Sequence, residues 1–326
     1  MTVVETRATH ALSRFADYLP FDRRQTDGPG GLISVRHRTG WFSFSFGTNF
    51  NSDGCEALDS LSVWPAGSLA KQFTALTLLR LLNMHGLPLT TKAAEVIPEW
   101  RCATTLNIGH LLYHQSGLSD EALVAYPNEP TKVALAAADL AFDACPDAGF
   151  NYANANYILL AEIVARLAEC PFTDAVSQKV LIPAGLDCSA FDMSRLTVVG
   201  ARWLLNDWCC TPTVSSMPGP GGMYLSLRQL QRWQAALHDG TFEEAVLAQL
   251  NTAGRLPDGA LGKYGGGQFV LRRGEQEFYC HLGKDGPVST YLLRTSHPDM
   301  AMIALANGDC SNISQICWDI FPRVYL

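Results

Sequence analysis

From Phe73 to Leu82 the apolar side chains fall on nearly every side of a helical wheel: Phe73, Leu76, Leu78, Leu79, Leu81 and Leu82. All-round apolarity of this kind predicts a buried helix rather than a surface one. The break Trp64-Pro65-Ala66-Gly67 precedes it, and Gly86 and Pro88 stop it just beyond Met84. Ahead of it, alternation from Glu5 to Leu19 predicts an amphipathic helix. A turn at Asp27–Gly31 follows, and then two strands, Leu32–Arg36 and Trp41–Phe46, close into a hairpin at Thr39-Gly40. Asn49 to Ser60 is polar and reads as a loop.

Helical patterning dominates from Leu87 to Asp207, with segments at Ile108–His114, Ala134–Ala144, Asn156–Ala168 and Pro171–Leu181. Beyond Pro218-Gly219-Pro220-Gly221-Gly222 the character changes. One helix, Leu227–Leu237, leads into glycine-punctuated segments at Gln268–Arg272, Phe278–Leu282, Thr290–Thr295 and Met300–Ala306, and a last helix spans Ile313–Tyr325. Hairpin, helices, then strands predicts an α+β fold: an antiparallel β-sheet flanked by terminal helices, with an inserted all-helical subdomain. If the strands share one sheet, the first hairpin pairs with the last strands. The sheet subdomain then takes residues 1–66 and 219–326, the helical subdomain takes 67–218, and any functional site is expected between them.

Composition narrows the function. The 326 residues carry a net charge of −7 with no basic run longer than Arg272-Arg273, so nucleic acid and anionic membranes are poor partners. No apolar segment is long enough to cross a bilayer, since Thr74, Thr77 and Arg80 interrupt the most apolar one. The first 22 residues lack a basic segment followed by an apolar one, and the ten cysteines include no Cys-x-x-Cys pair. A cytoplasmic protein with reduced thiols is the expectation. His110 and His114 stand four apart, yet no glutamate follows His110 and no third ligand is evident, so no metal is expected, and no cofactor motif is present. Gly265-Gly266-Gly267 follows no phosphate-loop pattern and reads as a flexible turn.

Candidate chemistry begins at the buried helix. Ser68 falls in its first turn and Lys71 one turn on; of the six lysines only Lys71 has a serine or threonine three residues before it. A helix N-terminus favours negative charge on the hydroxyl, and burial lowers an amine's pKa until it can take the serine proton. A plain cap followed by a solvated lysine satisfies the same four residues. Tyr152-Ala-Asn154 opens another helix and offers a phenol as proton carrier and an amide that can hold the lysine; a polar cap is the alternative. His281-Leu-Gly283 ends a strand, where an imidazole can bind a substrate carboxylate or tune the Lys71–Tyr152 pair, or be purely structural.

Taken together, Ser68-x-x-Lys71, Tyr152-x-Asn154 and His281-x-Gly283 resemble the serine β-lactamase and penicillin-binding-protein superfamily, in its class C-like, D-aminopeptidase/esterase-like branch. The likeness extends to Leu111-Leu-Tyr-His-Gln-Ser-Gly-Leu118, Gly221-Gly-Met-Tyr-Leu-Ser226, His281-Leu-Gly-Lys-Asp-Gly286 and Ala304-Leu-Ala-Asn307, and covers residues 30 to 326. It implies a β-lactamase/transpeptidase-like fold and an acyl-Ser68 intermediate. Lys71 and Tyr152 share the acid and base roles, Asn154 and His281 assist, and the backbone N–H groups of Ser68 and Lys284 form the oxyanion hole beside Gly283. His281 stands where most dedicated β-lactamases have lysine, which weighs against strong antibiotic hydrolysis. The expected activity is hydrolysis of a small amide or ester, such as a peptide, a D-amino-acid derivative or a short ester. The alternatives are acyl transfer to an amine or alcohol in small-molecule biosynthesis, and a silent ligand-binding homologue. The oligomeric state stays open.

Overall fold

The computed structural model describes residues 29–38, 40–51, 54–100, 105–120, 136, 149–204, 207–211, 217–308, 310 and 312–325. Strands β1 (Gly31–His37) and β2 (Gly40–Phe46) form the expected hairpin, with His37 opposite Gly40. Small ribbons follow: β3 (Thr48–Asn51) with β4 (Gly54–Ala57), β5 (Val63–Pro65) with β8 (Tyr224–Ser226), and β6 (Gly200–Leu204) with β7 (Asp207–Thr211). Strands β9 (Phe269–Arg273), β10 (Gln276–Asp285), β11 (Val288–Thr295) and β12 (Ala301–Ala306) complete the main sheet, whose order is β2-β1-β12-β11-β10-β9. All neighbours are antiparallel, and β1 lies against β12 with Gly31 opposite Ala306.

The helices are α1 (Ala70–His85), α2 (Ala93–Val96), α3 (Ile108–Leu112), α4 (Asn154–Ala168), α5 (Phe172–Val176), α6 (Leu227–Ala236), α7 (Glu244–Asn251) and α8 (Ile313–Tyr325). Alternation along the strands sorts the core. Met302, Ala304 and Ala306 meet α8 through Ile313, Ile316, Cys317, Ile320, Phe321 and Val324, a spacing of three and four that makes one apolar stripe. Ile303 and Leu305 point the other way and join Leu32, Val288 and Leu292 in a second core with α1 and α4. Helix α1 is buried on all sides from Ala70 to Leu79 and ends at left-handed Gly86, φ 64°. Among the described residues, no helix is long and apolar enough to cross a membrane.

Several local expectations change. Asn49–Ser60 is not a plain loop, because β3 and β4 pair within it. Asn49 is buried, donating to Thr197 O (2.7 Å) and accepting from Val199 N (2.9 Å), so its polarity is satisfied by distant backbone. Pro171–Leu181 divides into α5 and a π-helical turn over Ser177–Leu181. The ribbon β6–β7 falls inside the stretch expected to be helical, and α7 was hidden in the glycine-punctuated region. The predicted helix at Glu5–Leu19 lies outside the described residues, as does that at Ala134–Ala144 save for residue 136.

The Gly265–Gly267 segment is a turn, as expected, but a buried one. Gly267 has φ 74°, and a Cβ there would stand 2.4 Å from the Lys71 carbonyl carbon. The glycines let this segment press its backbone against the first turn of α1.

Candidate active site

Ser68 sits in a 3-10 turn, Gly67–Leu69, between β5 and α1. The turn is clamped from two sides: Ala66 N donates to Met223 O (2.8 Å), and Thr290 Oγ1 donates to Ala66 O (3.0 Å). Gly67 takes φ 54°, and a Cβ on it would lie 2.7 Å from Lys284 N. This close approach of backbones sets the main chain of Lys284 beside the Ser68 turn. Gly283 is equally confined, because a Cβ there would meet Thr290 Oγ1 at 2.1 Å and Ala66 O at 2.2 Å. Both positions therefore require glycine. Gly67, Ser68, Asn154, Met217, Pro220, Gly221 and Lys284 line a pocket that opens to solvent.

Lys71 is fully buried, with its ammonium at the centre of three acceptors: Ser68 Oγ (2.9 Å), Asn154 Oδ1 (2.7 Å) and Pro220 O (3.1 Å). Burial pulls its pKa down to about 7, against an upward pull from Asp120. Near neutral pH it can hold or release a proton. The three partners decide where its lone pair goes. Asn154 Oδ1 and Pro220 O can only accept, so two N–H bonds of a neutral amine point at them and the lone pair is left facing Ser68.

Tyr152 precedes α4, with its hydroxyl donating to Ser68 Oγ at 3.0 Å. Burial raises its pKa above that of a free phenol, despite the opposing hydrogen bond to Ser68. The Lys71 ammonium lies 5.0 Å from the centre of its ring. Asn154 opens α4 and uses both ends of its amide, accepting from Lys71 and donating from Nδ2 to Asp120 Oδ2 at 3.0 Å. Ser68, Lys71, Tyr152 and Asn154, drawn from two separated segments, thus meet in one hydrogen-bonded cluster.

His281 stands one layer back. Its Nδ1 lies 2.8 Å from Leu282 O, so Nδ1 carries the proton and Nε2 accepts from the Tyr264 hydroxyl at 2.9 Å. Both nitrogens are engaged and the ring is buried, with its centre 5.9 Å from that of Tyr152. Burial first, and the Lys71 charge second, pull its pKa down to about 3, which keeps it neutral. It touches the cluster through ring packing, with no free donor left for a substrate.

Three contributors carried no motif of their own. Asp120 lies two residues beyond Leu118 in the chain, yet it reaches the start of α4 through Asn154 and Ala155. Pro220 sat unrecognised within the Pro/Gly break, yet its carbonyl holds Lys71. Tyr264, just before the glycine triplet, gives His281 its partner. His114 also enters: its Nδ1 accepts from Ala153 N at 3.2 Å, and its ring lies 4.4 Å from that of Tyr152.

A hydroxyl flanked by a low-pKa amine and a phenol, beside two backbone N–H groups, has the parts for nucleophilic acyl chemistry. Comparison with known proteins supplies a family and a fold. The family model described as Beta-lactamase matches residues 17–314. Penicillin-binding protein 4 of Amycolatopsis lactamdurans is 31% identical over 183 residues, which is 51% of this chain and 46% of the relative, so the match spans less than half of that protein. The crystal structure of SurE has a TM-score of 0.81 at 20% identity, covering 99% of this chain and 77% of that one. The D-stereospecific amidohydrolase from Streptomyces sp. gives 0.72 at 18% identity, covering 97% and 98%. At such identities the structural likeness speaks for the fold alone. The family match, however, spans most of the sequence: the chain belongs to the Beta-lactamase family.

Proposed function

We propose that this chain is a serine hydrolase that cleaves an amide or ester of a small substrate through an acyl-Ser68 intermediate. One observation carries the reading: Ser68 Oγ lies 2.9 Å from Lys71 Nζ and 3.0 Å from the Tyr152 hydroxyl. The neutral amine of Lys71 takes the Ser68 proton as Oγ attacks the carbonyl carbon, and the carbonyl π pair moves onto oxygen. The N–H groups of Ser68 and Lys284 receive that oxyanion. Collapse expels the amine or alkoxide, which takes a proton through Tyr152 and Lys71, and water then repeats the sequence on the ester. Asn154 holds Lys71 and can also meet a substrate amide, while neutral His281 keeps the wall behind Tyr152 uncharged. The cleft then lies between the helices that carry Lys71 and Asn154 and the sheet strand that carries Lys284.

The D-stereospecific amidohydrolase and the D-amino acid amidase of Ochrobactrum anthropi SV3 among the structural neighbours support amino-acid amides, the D-forms included, as the first substrates to try. The test is intact-mass spectrometry after exposure to a fluorophosphonate and to a panel of activated esters and D- and L-amino-acid amides. Wild type gains the mass of the adduct and Ser68→Ala does not. Equal labelling of the two rejects the reading. Turnover with an added amine separates hydrolysis from acyl transfer by product mass.

A further inference from the structure

We propose that Asp120 is a positioning residue that fixes the orientation of the Asn154 amide and thereby aims the Lys71 lone pair at Ser68. The inference rests on the acyl-Ser68 reading for its catalytic consequence, but its structural claim about Lys71 is separate.

The argument starts from hydrogen-bond polarity. A carboxylate only accepts, so Asp120 Oδ2, 3.0 Å from Asn154 Nδ2, selects the NH2 end of that amide. The oxygen end must then face Lys71, where it lies 2.7 Å from Nζ. Asp120 is itself held, because its other oxygen accepts from Ala155 N at 3.0 Å, one residue into α4. That contact also places its negative charge at the positive end of the helix. A reversed amide would point an N–H donor at Lys71. It would bind the lone pair of the neutral amine, and the base would be occupied before serine reached it.

The Asp120 charge also acts on Lys71. Four titratable side chains pack round Lys71 besides Asp120. Burial raises the pKa values of Tyr152 and Tyr157, and burial lowers those of His114 and His281, so all four remain uncharged near neutral pH. Asp120 is the charged neighbour acting on Lys71, and it opposes the effect of burial. Without it the amine would titrate lower.

Asp120→Asn tests both parts. The new side chain keeps an oxygen for Ala155 N but turns an NH2 toward Asn154, which flips. With lysine labelled at 13Cε, the Lys71 resonance, assigned by its loss in Lys71→Ala, titrates at lower pH in Asp120→Asn than in wild type by about half a unit or more. This readout does not depend on turnover. In acylation by an activated ester, kcat falls about 10–100-fold with KM little changed, as expected when an orienting partner is lost. The acid limb moves down in step with the resonance. The exchange Asp120→Asn/Asn154→Asp restores an acceptor toward Lys71 and recovers rate, with the limb moved up by the nearer carboxylate. If Asp120→Asn is not obtained folded, Asp120→Glu, which keeps charge and acceptor, must leave the Lys71 titration within about 0.3 unit of wild type.

An unchanged Lys71 titration in Asp120→Asn, or a shifted one in Asp120→Glu, overturns the proposal and leaves Asp120 a helix cap. A shifted titration with Ser68→Ala still labelled keeps the Asp120–Lys71 link and instead rejects the acyl-Ser68 reading.

Discussion

The Tyr264 hydroxyl lies 2.9 Å from His281 Nε2 and supplies the hydrogen bond that a buried neutral imidazole needs. Tyr264→Phe removes the donor and strands a buried acceptor, which destabilises the fold by about 1–3 kcal/mol in urea denaturation. Because the ring of His281 touches the cluster only by packing, acylation should fall by less than about tenfold, far below the effect of Lys71→Ala. A loss equal to that of Lys71→Ala would give the Tyr264–His281 pair a direct part in proton transfer.

Lys71 sets the pH dependence of the reaction. Its pKa in the folded protein is about 7, and the base is the neutral amine. Acylation of wild type, followed as kcat/KM for an activated ester, should therefore climb through about pH 7 to a plateau. Lys71→Ala should lower the rate by about 10²–10⁴-fold and erase that limb.

The same group shapes stability, and the sign follows from proton binding. An unfolded lysine keeps its proton up to about pH 10.5, whereas the folded one releases it near 7. Between those values the unfolded state binds more protons, so wild type gains stability as pH rises. Subtracting the urea-denaturation profile of Lys71→Met from that of wild type should give a difference that rises from pH 7 to 9, by up to about 1.4 kcal/mol per unit. Near pH 7 Lys71→Met should be the more stable protein. A flat difference would mean that Lys71 titrates normally.

Gly67 tests the backbone beside the nucleophile. At φ 54° with Lys284 N so near, Gly67→Ala must move either the Ser68 turn or β10. The expected result is a fall in kcat of about 10²–10³-fold with KM within about threefold, the signature of a lost oxyanion donor. An equal loss in KM would point to a blocked pocket instead.

Gly267→Ala should act on folding. Its Cβ would collide with the Lys71 main chain at 2.4 Å while the residue is held at φ 74°. Strain and overpacking together should destabilise by about 2–5 kcal/mol in chemical denaturation.

What the sequence revealed and what it hid follow from the range of the interactions. The sheet was legible because β11 and β12, buried on both faces, and most of β1 and β10 read as short apolar runs between glycine-rich and turn-rich breaks. Ser68, Lys71, Tyr152 and Asn154 were legible because each lies within a turn of a helix start. Asp120, Pro220 and Tyr264 were not. Their contribution is a single carboxylate, carbonyl or hydroxyl delivered across the fold, and one polar atom leaves no periodic trace. Asn49 failed for the same reason, since its buried amide is satisfied by Thr197 and Val199, about 150 places further along the chain.

The pairing of β1 with β12 sets a timetable for synthesis. Gly31 leaves the ribosome long before its partner Ala306 is made. The first hairpin therefore waits with its β1 edge uncovered while every residue between β1 and β12 is translated. An unpaired edge is where chains stick to one another. Nascent copies should depend on chaperones most heavily in that interval, and truncation before β12 should leave an aggregating product rather than a shorter working one.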